Sequence, residues 1–110
     1  MRTGSITIAA IGDMHYGRTS QGNLQALLSQ IATQADVLVL CGDLTDFGLP
    51  EEAALLAKDL TAAKVPTIGV LGNHDYEGGK PDEVKRVLQD AGVTILDGDT
   101  TEVHGIGFAG

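Results

Sequence analysis

A chain of 110 residues has room for one small domain at most. Hydrophobic residues make up 43% of it and charged residues 20%, a balance that is typical of globular proteins and excludes an intrinsically disordered chain. The net charge of −8 argues against a nucleic-acid-binding surface, which would need a basic face, but not against phosphate chemistry, since bound divalent cations reverse the local charge.

The compartment is predicted from two features of the sequence. The single cysteine, Cys41, excludes an internal disulfide and favours a reducing compartment. The first apolar run, Ile6 to Ile11, is too short for a signal-peptide core or a membrane span. We therefore expect a cytoplasmic protein without a membrane partner. Cys41 lies in an apolar run itself, so we expect it to be a small core residue.

The first half of the chain alternates short apolar runs with helical patterns. Ile6 to Ile11 is predicted to be a buried strand, and about Gln21 to Thr33 a helix with its leucines at helical spacing. Val37 to Cys41 is predicted to be a second buried strand. Glu51 to Ala63, after a proline and with acidic residues in its first turn, is predicted to be a second helix.

The second half continues the alternation. Thr67 to Leu71 is predicted to be the third strand, Pro81 to Ala91 a helix capped by Gly92, and Val93 to Leu96 the fourth strand. Thr100 to Phe108 is a weaker segment of one or two strands. This order predicts an α/β fold with a mostly parallel sheet and flanking helices covering its faces.

Each of the first three predicted strands ends at a glycine that is followed by a candidate metal ligand. The three blocks are Gly12-Asp13-Met14-His15, Gly42-Asp43-Leu44-Thr45-Asp46 and Gly72-Asn73-His74-Asp75. Asp13, Asp43 and Asn73 are spaced 30 residues apart, which is about the length of one βαβ unit. Because ligands bind beyond the carboxyl ends of parallel strands, we expect these three residues to meet along one edge of the sheet.

Carboxylate, amide and imidazole groups in this arrangement suit a pair of transition-metal ions. Two cations roughly 3.5–4 Å apart can hold both oxygens of an in-line phosphoryl displacement, and they need a shared anionic ligand. A carboxylate on the central strand, Asp43, suits that role. The mixture of imidazole and carboxylate favours Mn, Fe, Zn or Co over Ca.

The three blocks together resemble the signature of the calcineurin-like metallophosphoesterase family, which reads D-x-H, then G-D-x-x-D, then G-N-H-[DE]. The resemblance spans residues 13 to 75. It implies half of the αββα sandwich of that family, with one sheet face left open. We expect residues 1–110 to be the N-terminal portion of one such domain, truncated at the C-terminus, because the chain stops in an apolar segment and lacks three further histidine ligands that the family has.

The resemblance also implies a role for each matching residue. Asp13 and His15 would hold the first metal, Asp43 would bridge both metals, and Asn73 would bind the second metal and substrate. His74, oriented by Asp46, would bind substrate and assist the leaving group. The nucleophile would be a metal-bound hydroxide, and the substrate a phosphate monoester or diester.

Simpler interpretations stand beside these. An aspartate or asparagine after a strand is often only a helix cap or a turn residue. Arg18 could contact substrate phosphate, although a solvent-exposed loop arginine is the more ordinary role. We expect Asp75 to lie behind the ligands or at the surface, Glu51 and Glu52 to stabilise a helix N-terminus, and His104 to be structural. The alternative function is a non-catalytic binding module that keeps the fold with an incomplete metal site.

Overall fold

The fold is described from a computed structural model that covers residues 5–12, 14, 16–17 and 24–110, with the side chains of residues 73 and 74 outside the description. Its centre is a four-stranded parallel sheet. The strands are β1 (Ile8–Ile11), β2 (Val37–Cys41), β3 (Thr67–Val70) and β4 (Val93–Ile95). They lie in the order β1-β2-β3-β4, which confirms the predicted α/β class and parallel sheet.

In the described part of the chain, four α-helices connect or flank these strands: α1 (Gln25–Gln34), α2 (Pro50–Leu60), α3 (Asn73–Glu77) and α4 (Pro81–Asp90). A short 3₁₀ helix, Thr61–Ala63, continues α2 and replaces the last turn of the predicted α-helix. Residues 21–23 of the first predicted helix lie outside the described residues. Gly92 follows α4 in the left-handed conformation, with φ +94°, and so ends that helix as predicted.

The three longer helices pack on one face of the sheet rather than on both. Sequential parallel strands joined by right-handed crossovers place every connecting helix on the same side. The main core accordingly joins strand residues such as Leu38, Leu40 and Ile95 to Leu28 of α1, Leu56 of α2 and Leu88 of α4. The prediction that helices cover the faces of the sheet is therefore corrected to one face.

The opposite face of the sheet is only partly covered. A hairpin of β5 (Thr100–Val103) and β6 (Ile106–Ala109) forms a second, antiparallel sheet. Its residues Val103 and Phe108 pack against a small cluster on that face. Side chains alternate along β2, so Cys41 shares this face with Val37, and it is exposed. The prediction that Cys41 is a core residue was wrong for this reason.

The described helices contain at most 11 residues, and none of them is long and apolar enough to cross a bilayer.

Candidate functional site

Three loops at the carboxyl edge of the sheet carry the predicted site residues. We name them loop 1 (described at residues 12, 14, 16 and 17, after β1), loop 2 (residues 42–49, after β2) and loop 3 (residues 71–75, after β3 and into α3). Because β1, β2 and β3 are adjacent and parallel, the three loops leave the sheet side by side. The described parts of the three sequence blocks therefore lie at one edge of the sheet, whereas Asp13 lies outside the described residues and its place at that edge stays a prediction.

Loop 1 is held to loop 2 by an extension of the strand pairing. The Tyr16 backbone N–H donates to the Leu44 carbonyl at 2.9 Å, and the Tyr16 carbonyl accepts from the Asp46 N–H at 2.9 Å. Tyr16 is buried, and it forms a parallel bridge with Thr45. The residue that follows predicted ligand His15 is thus paired to the middle of the G-D-x-x-D block.

Asp43 lies on a sharp left-handed turn at the end of β2. Gly42 has φ +88° and Asp43 has φ +48°. Left-handed backbone is uncommon for a residue with a side chain, and it often marks a functional position. Asp43 is half-buried on this turn.

The Asp43 carboxylate lies directly against loop 3. A Cβ added to Gly72 would come within 2.5 Å of Asp43 Oδ1 and would also overlap the Asp43 backbone nitrogen. Only glycine therefore fits at residue 72. The carboxylate of the second block and the residue that precedes Asn73 of the third block are in contact.

Asp75 joins loops 2 and 3 through a carboxylate that is fully buried. Its Oδ1 accepts from the Thr45 N–H and from the Thr45 hydroxyl, each at 2.7 Å. Its Oδ2 accepts from the Leu44 N–H at 3.0 Å and from the Gly72 N–H at 2.9 Å. Asp75 is therefore an interior link between the loops and not a surface residue, while a place behind metal ligands stays a prediction.

Glu52 performs a similar task for the second half of loop 2. Its carboxylate is 2% exposed, and Oε1 accepts from the Phe47 N–H at 2.9 Å and from the Leu49 N–H at 3.2 Å. A Cβ on Gly17 would lie 3.5 Å from both Glu52 Oε2 and Asp46 Oδ2, so these carboxylates come together beside loop 1. Glu52 thus does more than stabilise the start of α2, the role that its sequence position predicted.

The predicted site residues fall into three groups. Asp43 and Asp46 are described, and both lie on loop 2. Asn73 and His74 form the first turn of α3, and only their backbone is described. Asp13, His15 and Arg18 lie outside the described residues, so their roles stay predictions. His104 lies exposed in the turn of the β5–β6 hairpin.

The described part of the site contains one side chain that suits a metal ion, the carboxylate of Asp43. Asp43 offers a hard oxygen donor at the ligand-binding edge of the sheet, in a space that Gly72 keeps open. Among the residues with described side chains, no three His, Cys, Asp or Glu lie together as a metal-binding group. The further donors expected from loops 1 and 3 are Asp13, His15 and Asn73.

Sequence reasoning missed the tasks of Asp75 and Glu52 and the existence of α3. A signal for all three was present, because an acidic residue three positions after a helix N-cap can accept from the N-cap N–H. Asp75 stands in that relation to Gly72, and Glu52 to Leu49.

Comparison with known proteins decides the family. The family model described as calcineurin-like phosphoesterase matches residues 6–106, nearly the whole chain. The chain belongs to the calcineurin-like phosphoesterase family. The parallel sheet with helices on one face is consistent with half of the sandwich expected for that family, and members of the family act as phosphoesterases.

A curated relative adds a more specific likeness. The chain is 30% identical over 82 residues to a 3′,5′-cyclic-nucleotide phosphodiesterase of Nostoc sp.. The alignment covers 64% of this chain and 31% of the relative. The chain thus spans about a third of the length of the curated relative that it matches.

Proposed function

We propose that this protein hydrolyses phosphate esters at a dinuclear metal centre whose first half is carried by loops 1, 2 and 3. The observation that supports the proposal most directly is the position of Asp43. Its carboxylate lies on a left-handed turn, in contact with the residue that immediately precedes Asn73. A carboxylate between two ligand-bearing loops is well placed to be shared by two cations.

In this proposal, Asp13 and His15 would hold one metal ion, Asn73 would hold the other, and Asp43 would be shared by both. When bound, metal ions drawn from Mn, Fe, Zn or Co would supply positive charge near the phosphate oxygens and would lower the pKa of coordinated water. His74 donates a hydrogen bond or a proton to the leaving oxygen, with its tautomer held by Asp46. Arg18 is a weaker candidate for contact with the substrate phosphate.

The substrate class is a phosphate monoester or diester, and the name of the Nostoc relative favours the diester. The remaining ligands would come from a longer domain of which residues 1–110 are the N-terminal portion. A longer domain is supported by the comparison with the Nostoc relative, since the alignment covers 31% of that protein. A cytoplasmic location, expected from the single cysteine, is part of the same proposal.

Metal analysis combined with hydrolysis assays tests the proposal. The full-length protein, stripped with a chelator and then titrated with Mn²⁺, should bind close to two ions and gain activity. Bis(p-nitrophenyl) phosphate, p-nitrophenyl phosphate and 3′,5′-cyclic AMP separate diesterase from monoesterase activity. A protein that binds no metal and hydrolyses none of the three would instead be the non-catalytic binding module. Activity that survives complete metal removal would contradict the two-metal mechanism.

A further inference from the structure

Asp75 presents a buried carboxylate to four hydrogen-bond donors, and the ligand roles assigned above do not use it. Three of the donors are backbone N–H groups, those of Leu44, Thr45 and Gly72, and the fourth is the Thr45 hydroxyl. Leu44 directly follows Asp43 in sequence, and Gly72 directly precedes Asn73. One rigid group therefore connects the main chain beside two of the proposed metal ligands.

We propose that Asp75 is a positioning residue that sets the separation of Asp43 and Asn73 and thereby the affinity of the centre for its metal ions. The proposal rests on the function proposed above. Groups that orient metal ligands by hydrogen bonding are often worth 10- to 100-fold in metal affinity or activity, an order-of-magnitude range for such supporting contacts.

The chemistry of the contact requires a carboxylate. All four partners are donors, and each of the two carboxylate oxygens accepts two hydrogen bonds. An amide of the same shape would turn its NH₂ group toward two of these donors, because only one of its two terminal atoms can accept. Asp75→Asn would therefore lose at least two of the four bonds without a change in volume.

Helix capping alone does not explain this arrangement. A cap of α3 needs only the bond from the Gly72 N–H, whereas the other three bonds cross to loop 2. The Thr45 hydroxyl extends the link, because it donates to Asp75 and accepts from the Gly48 N–H at 3.0 Å. The contact thus holds the stretch of loop 2 between Asp43 and Gly48, which includes Asp46.

The test compares three variants of the full-length protein. Asp75→Asn breaks the link, and Thr45→Val removes only the hydroxyl. Asp59→Asn is the matched control, since Asp59 is also buried and accepts from Gln25 Nε2 at 3.0 Å. Asp59 lies about 13 Å along α2 from Pro50, at 1.5 Å per residue, and so at the far end of that helix from loop 2.

Two readouts are needed, one without metal and one with it. In the metal-free protein, Asp75→Asn should speed amide hydrogen exchange at Leu44, Thr45 and Gly72. In Mn²⁺ titrations the same variant should bind roughly 10- to 100-fold more weakly. Thr45→Val keeps the Asp75 charge and its three bonds from backbone N–H groups, so it should weaken Mn²⁺ binding less, by roughly 2- to 10-fold. At saturating Mn²⁺, kcat should fall more than KM changes.

The outcomes separate this inference from the proposed function. Unchanged Mn²⁺ affinity in Asp75→Asn, or an equal loss in Asp59→Asn, would overturn the positioning role. If Asp75→Asn does not fold, Thr45→Val decides by the same criterion. Wild-type protein that binds no Mn²⁺ would overturn the proposed function instead, and exchange at the three amides, measured without metal, would still show whether Asp75 holds the loops.

Discussion

Gly72 lies so close to Asp43 that a methyl group at residue 72 would come within 2.5 Å of the Asp43 Oδ1 atom. The glycine is required here by contact and not by backbone conformation, because its φ of −119° is open to any residue. The contact joins the two loops that carry the proposed bridging ligand and the proposed ligand of the second metal.

We expect Gly72→Ala to displace the Asp43 carboxylate and to abolish most of the hydrolytic activity and Mn²⁺ binding. Gly107→Ala is the matched control, because a Cβ there meets no atom of the described residues within 4 Å. Mn²⁺ titration and hydrolysis of bis(p-nitrophenyl) phosphate check both variants. Normal Mn²⁺ affinity in Gly72→Ala would show that the Asp43 position is not critical.

Asp43→Asn should remove metal binding while leaving the fold intact. Asparagine accepts left-handed backbone about as well as aspartate does, so the φ of +48° adds no new strain. The negative charge that two cations would share is lost, and activity should fall by about 100-fold or more, beyond the effect of supporting contacts.

Asp90→Asn, an exposed substitution at the end of α4, serves as the control for Asp43→Asn and should change neither metal content nor activity. Metal analysis, steady-state assays and thermal unfolding are measured on both proteins. Unchanged activity in Asp43→Asn would show that the two-metal mechanism is wrong.

Glu52→Ala should lower the free energy of unfolding by about 2 kcal/mol, since the partly buried N–H groups of Phe47 and Leu49 lose a charged acceptor. Glu51→Ala is its control. Glu51 is exposed in the same helical turn, and its loss should cost about 0.5 kcal/mol or less. Urea denaturation measures both, and equal losses would mean that Glu52 acts only on the helix dipole.

His104→Asn should leave metal content unchanged and raise stability by a few tenths of a kcal/mol. His104 and Gly105 form the two-residue turn of the β5–β6 hairpin, with φ values of +53° and +78°. Asn-Gly is the preferred pair at such turns. His104→Val should instead destabilise the protein by about 1 kcal/mol, because a branched side chain resists this backbone. Loss of metal from His104→Asn would identify His104 as a ligand.

Local pattern was sufficient for most of the secondary structure. The bounds of β2 were predicted to the residue, since an apolar run between an aspartate and a glycine leaves little choice. β1 begins two residues later than predicted, at Ile8. The helix α3 was not predicted, because its local signal, an acidic residue three positions after Gly72, is weak without the bonds that anchor the Asp75 carboxylate in loop 2.

The candidate site was also predicted in part from local sequence and in part not. The spacing of Asp13, Asp43 and Asn73 predicted that their loops would share one edge of the sheet, because ligand position after a parallel strand is a local property repeated at each βαβ unit. The choice of face for Cys41 and for the helices followed from strand order, which no short segment encodes.

The sequence by itself was sufficient to identify the family and the parallel sheet and to predict a set of candidate site residues, because these depend on motifs and on periodicity along the chain. Only the tertiary structure decided that Gly72 must lack a side chain and that Asp75 and Glu52 hold the loops. Those constraints arise from residues that are close in space: Asp43 and Gly72 are 29 positions apart in sequence, and Thr45 and Asp75 are 30.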